Sequence, residues 1–526
     1  MLKPLVLMGA SLAAAGLTTA ATVDTEGGRE VKHVLLISVD GLHALDLTNY
    51  VASHKDSTLA ALSRHGVTYT NNTTSTPSDS FPGLASLVTG GSPTTTGFWY
   101  DDTYNRALSP PAKTDGLGNP GGACPGTVGT NVAWDEAVDF DLTRLDGGGG
   151  LNPAFLVRDP QNGCHTLLPH QYLRVNTIFE VVRQHGGRTA WTDKHPSYEW
   201  TNGPSGKGVE DFYGPEINSI PVPLPQISGC AVVAFPDPTP DDGWTNSFAD
   251  IRCYDSLHVQ AIINQIDGYN HDRSKKVGVP TLFGTNFQAV SVGEKLAVDP
   301  VTGIKGGYTD VLGTPSQGLA EELDFVDQSL GKFVSELKKE GLYESTLIVI
   351  AAKHGQSAID LTKRRGIGGG QPTTTIGSAD AFDISDDGSL IWLTDPSLAA
   401  GVVANLSTPA NQQALGIQEI FAGASLRNKF NDPGSDPRTP DIILKVNTGV
   451  IFTGGSKIAE HGGFNEDDVH TALLLSQEDW EQATIKAPTS NQQVAATIVK
   501  ALGIDPSELQ AVQLDHIHTL PVPDPR

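Results

Sequence analysis

The chain has 526 residues, with 35 Lys or Arg against 60 Asp or Glu and a net charge of −25, which speaks against binding a nucleic-acid duplex through a broad basic face. This length fits one large α/β domain with insertions, or two domains. Its 57 glycines and 34 prolines point to long connections, where binding and catalytic residues tend to sit.

In chain order, Lys3 followed by the apolar run Leu5 to Leu17 and the small residues Thr18-Thr19-Ala20-Ala21 reads as a secretory signal peptide over residues 1–21. No other segment approaches the length of a bilayer span, so the mature chain is expected to be secreted without one. The run Leu35-Leu36-Ile37-Ser38-Val39 then ends in Asp40-Gly41. Strand length and β-branched content put Asp40 where a parallel strand meets its C-terminal loop, the ligand-binding edge of α/β sheets. Sequons at Asn71-Asn72-Thr73-Thr74 and Asn405-Leu406-Ser407 would be open to glycosylation in a eukaryotic secretory pathway. Ser80 opens a helix-like segment to Val88, and Pro82 suits its first turn. The Ser80 oxygen would then lie near free backbone N–H groups and the positive dipole end, where an anion or alkoxide is favoured.

Between about Leu108 and Cys164 the chain is rich in Gly and Pro and reads as an insertion or lid. Cys124, Cys164, Cys230 and Cys253 fit two disulfides in an oxidising compartment; of three pairings, sequence order favours Cys124–Cys164 and Cys230–Cys253. Strand-like segments at Val34–Val39, Arg188–Thr192, Pro280–Gly284, Thr346–Ala351 and Thr471–Leu475 alternate with helix-like ones at Leu59–Arg64, Thr177–His185, Leu257–Ile266, Leu319–Lys339 and Gln492–Leu502. This alternation predicts a parallel sheet with helices on both faces, within a single catalytic domain over 30–526 carrying an insertion at about 105–260.

Two further reactive segments flank strands: Lys353-His354-Gly355-Gln356 follows Thr346–Ala351, and Glu460-His461-Gly462-Gly463 precedes Thr471–Leu475. Three strand ends thus present one carboxylate and two imidazoles, a ligand set suited to Zn²⁺. His33, His43, His65, His185 and His470 show no partner pattern and read as surface or packing residues.

Taken together, from about His33 to Gly503, these motifs resemble the type I phosphodiesterase/nucleotide pyrophosphatase branch of the alkaline phosphatase superfamily. The resemblance implies an alkaline-phosphatase-like, mostly parallel sheet and two metal ions, usually zinc, flanking a Ser or Thr that forms a covalent phospho-enzyme intermediate. Ser80 matches that nucleophile, Asp40 the first-strand ligand, His354 the histidine of Asp-His-Gly and His461 the late ligand. Two departures stand out. Lys353 replaces the family's Asp. Where the family has an Asp and a His four residues apart, this chain reads Thr285-Asn286-Phe287-Gln288-Ala289-Val290-Ser291, with Asn286 near the Asp position and Val290 for the His.

The reading is therefore one divalent ion rather than two, held by Asp40, Ser80 and His354 with Glu460 or His461 nearby, and Lys353 as a second, catalytic cation. Thr192-Asp193-Lys194-His195-Pro196 resembles a segment of phosphonoacetate hydrolases, making Lys194 the substrate-binding cation and His195 a candidate ligand or acid. Asp101 and Asp102 stand where nucleotide-cleaving members carry an Asn, and are candidate substrate contacts together with Asn286. Phe98, Trp99 and Tyr100 are read as packing under the lid in at least one case and stacking on a leaving group otherwise. The expected function is a secreted, metal-dependent hydrolase of a small-molecule phosphodiester or related phosphoryl bond acting through Ser80. The alternatives are a sulfate- or phosphonate-ester hydrolase and a catalytically inactive binding protein.

Overall fold

In the first strand, β1 (His33–Val39), Leu35, Ile37 and Val39 leave one face and Val34 and Leu36 the other, and every residue after His33 is buried. A strand apolar on both faces is satisfied only between two layers of helices. The computed structural model describes residues 30–113, 121–126, 128–232 and 243–522, so the signal-peptide reading lies outside the described residues. The other strands used below are β2 (Gly66–Tyr69), β3 (Thr189–Thr192), β4 (Asp211–Tyr213), β5 (Leu282–Phe287), β6 (Thr346–Ala351), β7 (Asp380–Ser385), β8 (Gly388–Leu393), β9 (Ile417–Ala422), β10 (Ile442–Val446), β11 (Leu473–Ser476) and β12 (Ala483–Ile485).

Eight of these form one sheet in the order β12-β2-β11-β6-β1-β5-β3-β4. β1 is parallel to both neighbours, with Ser38 level with Asn286 on one side and Ala351 on the other. The sheet is mostly parallel, as expected, but β11 runs antiparallel to β6 and β2. That reversal has a functional consequence. Residues leading into β11 reach the same sheet edge as residues leaving β1 and β6, which is how His461 comes near Asp40 and His354.

Helices cover both faces. α3 (Ser80–Thr89), α4 (Ile178–Gln184) and α7 (Gln492–Ala501) pack on the face of Val34 and Leu36. On the face of Leu35 and Ile37 lie α1 (Ala44–Ser53), α2 (Thr58–Arg64), α5 (Phe248–Ile266) and α6 (Gln317–Lys339). Sequence reading ended the strand of Pro280–Gly284 too early: β5 continues to Phe287, whose carbonyl accepts the Asp40 N–H at 3.0 Å.

A second, antiparallel sheet, β7-β8-β10-β9, not anticipated above, has its own core of residues such as Ile391, Leu406, Ile442 and Leu444. Its turn between β7 and β8 leans on the Gly462-Gly463 backbone. Both disulfides join the pairs favoured by sequence order, Cys124–Cys164 and Cys230–Cys253. By limiting the unfolded chain, each closure contributes roughly 3–4 kcal/mol. Among the described residues no helix is long and apolar enough to cross a membrane. Of the glycosylation candidates, Asn405 is exposed, whereas Asn72 is fully buried and donates to Thr471 Oγ1 and Asn491 Oδ1, which corrects the first sequon at that position.

Arg174, ahead of α4, grips Asp436, between β9 and β10, with two hydrogen bonds of 2.8 and 2.6 Å. Burial pushes the Asp436 carboxyl up, but the Arg174 hydrogen bond and charge outweigh it and hold the group down at about 2. A depressed carboxyl stabilises the fold above its unfolded range, near 4, and that contribution is lost as pH falls toward 2. The melting temperature of Asp436→Asn is accordingly expected to lie below the wild type at pH 6 and to converge on it toward pH 2, as read by calorimetry across that range.

Candidate active site

Ser80 sits in the first turn of α3, with Asp79 as N-cap accepting the Phe81 N–H at 3.0 Å and Gly90 ending the helix in the left-handed region (φ 78°). All ten residues of α3 are buried, as befits a helix apolar on every side. Its seat is set by Gly83: a Cβ there would stand 2.2 Å from the Lys353 carbonyl oxygen, so only glycine lets the helix lie against the strand end after β6. This close approach brings Ser80 Oγ to 3.1 Å from His354 Nε2. Asp40 Oδ2 lies 3.7 Å from the same nitrogen.

The cation touching the serine is Lys194. Its Nζ donates to Ser80 Oγ at 3.0 Å and lies 3.6 Å from Asp40 Oδ2. Lys353, expected as the second catalytic cation, stands one step behind. Its Nζ donates to Asp193 Oδ1 at 2.7 Å and lies 4.2 Å from the centre of the Tyr198 ring, and both charged side chains are fully buried. Burial lowers the Lys353 ammonium pKa, and the nearby carboxylates only partly oppose it. For Asp40, burial works against ionisation, yet Lys353, His354 and Lys194 hold the carboxyl well below its ordinary range. Burial pushes the His354 and His461 imidazoles down, toward the neutral form that ligates a metal.

Asp40, Ser80 and His354 fit one ion. Tetrahedral zinc with bonds of about 2.0–2.2 Å needs donors roughly 3.3–3.6 Å apart, close to the 3.1 and 3.7 Å seen here. Asp40 Oδ1 is moreover buried without a hydrogen-bond partner. His461 stacks on His354 with ring centres 3.9 Å apart, and its unpartnered Nδ1 is 3.9 Å from the equally unpartnered Asp79 Oδ2. Among the described residues a second ion of the family type finds no such set. The side chain beside Asp40 is not that of Asn286 but of Gln288, which donates Nε2 to Asp40 Oδ2 at 2.5 Å, and the residue four further on is Val292.

Asn286 is buried with its amide unpartnered, and neither it nor Val290 lines the cleft. That cleft, of about 380 Å³, opens beside Lys194 and is lined by Asp101, Asp102, Gln288, Val292 and His461 among others. His195 also faces it, with Nδ1 held by Glu216 at 2.8 Å. Glu460 is not turned toward the ligand set; Lys295 and Lys457 pair with it at 2.9 and 2.5 Å. Phe98 and Trp99 are packing residues, whereas Tyr100 reaches the cleft and donates to Asp386 Oδ2 at 2.5 Å.

His43 corrects the sequence reading. It is a buried hub: Nδ1 contacts Asp46 Oδ2 at 2.8 Å and Tyr308 Oη at 2.9 Å, with Glu294 Oε1 at 3.3 Å, while Nε2 meets the Gln356 backbone at 3.0 Å. It thereby braces the loop carrying His354. The signal was present in the sequence, since His43 and Asp46 are one helical turn apart at the start of α1.

The arrangement is that of an α/β phosphoester hydrolase of the alkaline phosphatase superfamily. Among solved structures, murine ectonucleotide pyrophosphatase/phosphodiesterase 5 superposes with a TM-score of 0.54 at 13% identity, covering 90% of this chain and 95% of its own. Alkaline phosphatase PafA superposes with a TM-score of 0.57 at 13% identity, covering 91% and 96%. No curated protein sequence matches the chain. The sequence model of the type I phosphodiesterase/nucleotide pyrophosphatase family matches residues 34–141 and 307–470. Those segments make up more than half of the chain, which belongs to this family of hydrolases acting on phosphoester bonds.

Proposed function

We propose that this protein is a secreted hydrolase of small-molecule phosphoryl esters, a phosphodiester first among them, in which Ser80 attacks phosphorus and one divalent ion works with the Lys194 ammonium where relatives use two ions. The observation carrying this reading is the place of Ser80 Oγ, at a helix N-terminus between Lys194 Nζ and His354 Nε2. Asp40, Ser80 and His354 would hold the ion. When bound, such an ion, with zinc the best match to these donors, supplies charge that favours the serine alkoxide and neutralises the transferring group.

The chain's own residues do the rest. Burial withdraws Lys194 from water, but Asp40 and the neighbouring carboxylates outweigh this and raise its pKa, so it stays charged. Its ammonium stabilises negative charge on Ser80 Oγ and then on the phosphoryl oxygens, with the α3 dipole aligned to help. Ser80, its hydroxyl proton released to solvent, would form a bond to phosphorus as the bond from phosphorus to the ester oxygen breaks, the leaving oxygen taking a proton from water, and a second water would later release the phosphoryl group and restore the serine hydroxyl. A cleft of about 380 Å³ suits a small molecule. An inactive variant of the murine relative has been solved in complex with AMP, so a nucleotide ester belongs among the test substrates. Secretion is supported by the N-terminal signal pattern and the two disulfides.

The test is metal analysis of the purified protein alongside turnover of an aryl phosphodiester, a nucleotide diester, a monoester and an aryl sulfate. About one equivalent of ion and the phosphodiester turned over fastest are the expected results. Lys194→Ala should lower kcat by roughly a hundredfold to a thousandfold, the loss typical of removing one preorganised charge donor. Full activity in Lys194→Ala, or no ester turned over by the metal-loaded protein, would overturn the reading.

A further inference from the structure

β3 and β4 are parallel neighbours at one end of the main sheet, with Thr192 level with Tyr213. Three residues beyond these strand ends stand His195 and Glu216, so the pairing delivers both to the sheet edge at which Asp40 lies. Gly214 lets the two segments close, since a Cβ there would stand 2.5 Å from the His195 carbonyl oxygen. The Ile217 N–H donates to the Lys194 carbonyl at 3.0 Å, and the Tyr254 hydroxyl on α5 lies 2.8 Å from the Pro215 carbonyl oxygen and 3.2 Å from that of Lys194. His195 Nδ1 meets both Glu216 carboxylate oxygens, at 2.8 and 2.9 Å. Glu216 is fully buried, and its Oε1 also accepts the Asn218 N–H at 2.9 Å.

A carboxylate against Nδ1 places the N–H on that nitrogen, holds the ring in one orientation and stabilises the imidazolium when it forms. Because Glu216 lies inside the protein while the His195 ring borders the cleft, the edge directed toward the cleft is that of Nε2. The direction of attack gives this edge a use. Ser80 is fully buried and does not line the cleft, whereas Lys194, which touches it, and His195 both do. Displacement at phosphorus runs in line, with the leaving oxygen opposite the attacking one. A phosphoryl group within reach of Ser80 Oγ would therefore turn its leaving oxygen away from α3 and into the cleft that His195 borders.

We propose that His195 is the general acid that protonates the leaving oxygen, with Glu216 as the residue that positions its ring; the inference rests on Ser80 as the nucleophile. In the first step the bond from Ser80 Oγ to phosphorus forms and the bond from phosphorus to the ester oxygen breaks. The Nε2 proton passes to that oxygen, in place of one drawn from water, and the product departs as a neutral alcohol. In the second step the now neutral imidazole takes a proton from the attacking water, whose oxygen bonds to phosphorus as the serine leaves. The serine oxygen regains from solvent the proton it released, and His195 is again an imidazolium. A leaving group without an acid must depart as an anion, so the contribution of His195 is greatest for esters of weakly acidic alcohols.

The test is the kinetics of methyl aryl phosphodiesters whose leaving phenols run from 4-nitrophenol to unsubstituted phenol, measured on the wild type, His195→Gln and Glu216→Gln. In His195→Gln, kcat/KM is expected to fall roughly a hundredfold or more for the phenyl ester and less than about tenfold for the 4-nitrophenyl ester, whose phenolate leaves without help. Glu216→Gln should show the same order with smaller losses. A residue that only shapes the cleft would lower both esters by one factor. That result, or an undiminished rate on the phenyl ester, overturns the inference and leaves Ser80 in place. Full activity in Ser80→Ala overturns instead the reading on which it rests. Should His195→Gln fail to fold, the ratio of the two esters in Glu216→Gln decides by the same criterion.

Discussion

Ser80→Ala is expected to lower kcat for the best phosphodiester by a thousandfold or more, on the order of the losses seen when a covalent nucleophile is removed. The expectation rests on position. Ser80 Oγ is the only hydroxyl hydrogen-bonded to both Lys194 Nζ and His354 Nε2 among the described residues, and it stands at the N-terminus of a helix buried on every side. Removing the oxygen leaves charge stabilisation in place but nothing to attack phosphorus. Steady-state kinetics and acid-quenched peptide mapping check the two halves: the wild type should carry a phosphoryl group on Ser80 during turnover, and the variant none. Undiminished turnover in Ser80→Ala would end the nucleophile assignment.

The largest effect on stability is expected at Lys353 and Asp193. Both side chains are fully buried, their ion pair is 2.7 Å long, and the ammonium also faces the Tyr198 ring. Breaking such a pair strands one charge in the core, and Asp193→Ala or Lys353→Ala should each cost about 3–5 kcal/mol. The pKa values of the two partners point the same way: burial raises that of Asp193 and lowers that of Lys353, and the partner's charge opposes the shift in each, so losing either partner further disfavours the charge on the other. Replacing both at once, as Asp193→Leu with Lys353→Met, should cost less than the two single losses together, since well-packed apolar groups often substitute for a buried pair. Denaturant unfolding of the four proteins checks this. Single variants within about 1 kcal/mol of the wild type would show that the pair is not what holds the segment, since even exposed ion pairs reach that much.

Much of this was legible in the sequence because it rests on local signals. Asp40, Ser80 and His354 each sit at the end of a regular element, where an apolar run stops at a polar residue, and the structure brings all three together. What was misplaced depended on boundaries or on pairing across the chain. Asn286 falls near the family's Asp position in the sequence, but the strand runs on to Phe287 and presents Gln288 to Asp40 instead. Lys353 and Lys194 follow two strands, β6 and β3, that β1 and β5 separate, and only the three-dimensional placement of these strand ends beside α3 decides which ammonium meets the serine and which is spent on Asp193. The β7-β10 sheet went unread because β7 is half-buried along its whole length and carries no alternation of apolar and polar residues strong enough to announce a strand. His43 was passed over as a lone histidine because two of its partners, Glu294 and Tyr308, lie about 250 residues away or more.

The depth of Ser80 sets a limit on the shape of a substrate. The serine is fully buried and does not itself line the cleft, whereas Lys194 does and is also the serine's hydrogen-bond donor. For the proposed attack by Ser80, phosphorus would have to come within bonding reach of that oxygen, which favours an ester entering phosphoryl group first. A linkage in the middle of a long polymer cannot do so without threading its whole chain through the cleft. With Ser80 as the proposed nucleophile, such a site would favour termini and free small esters over internal linkages of a strand.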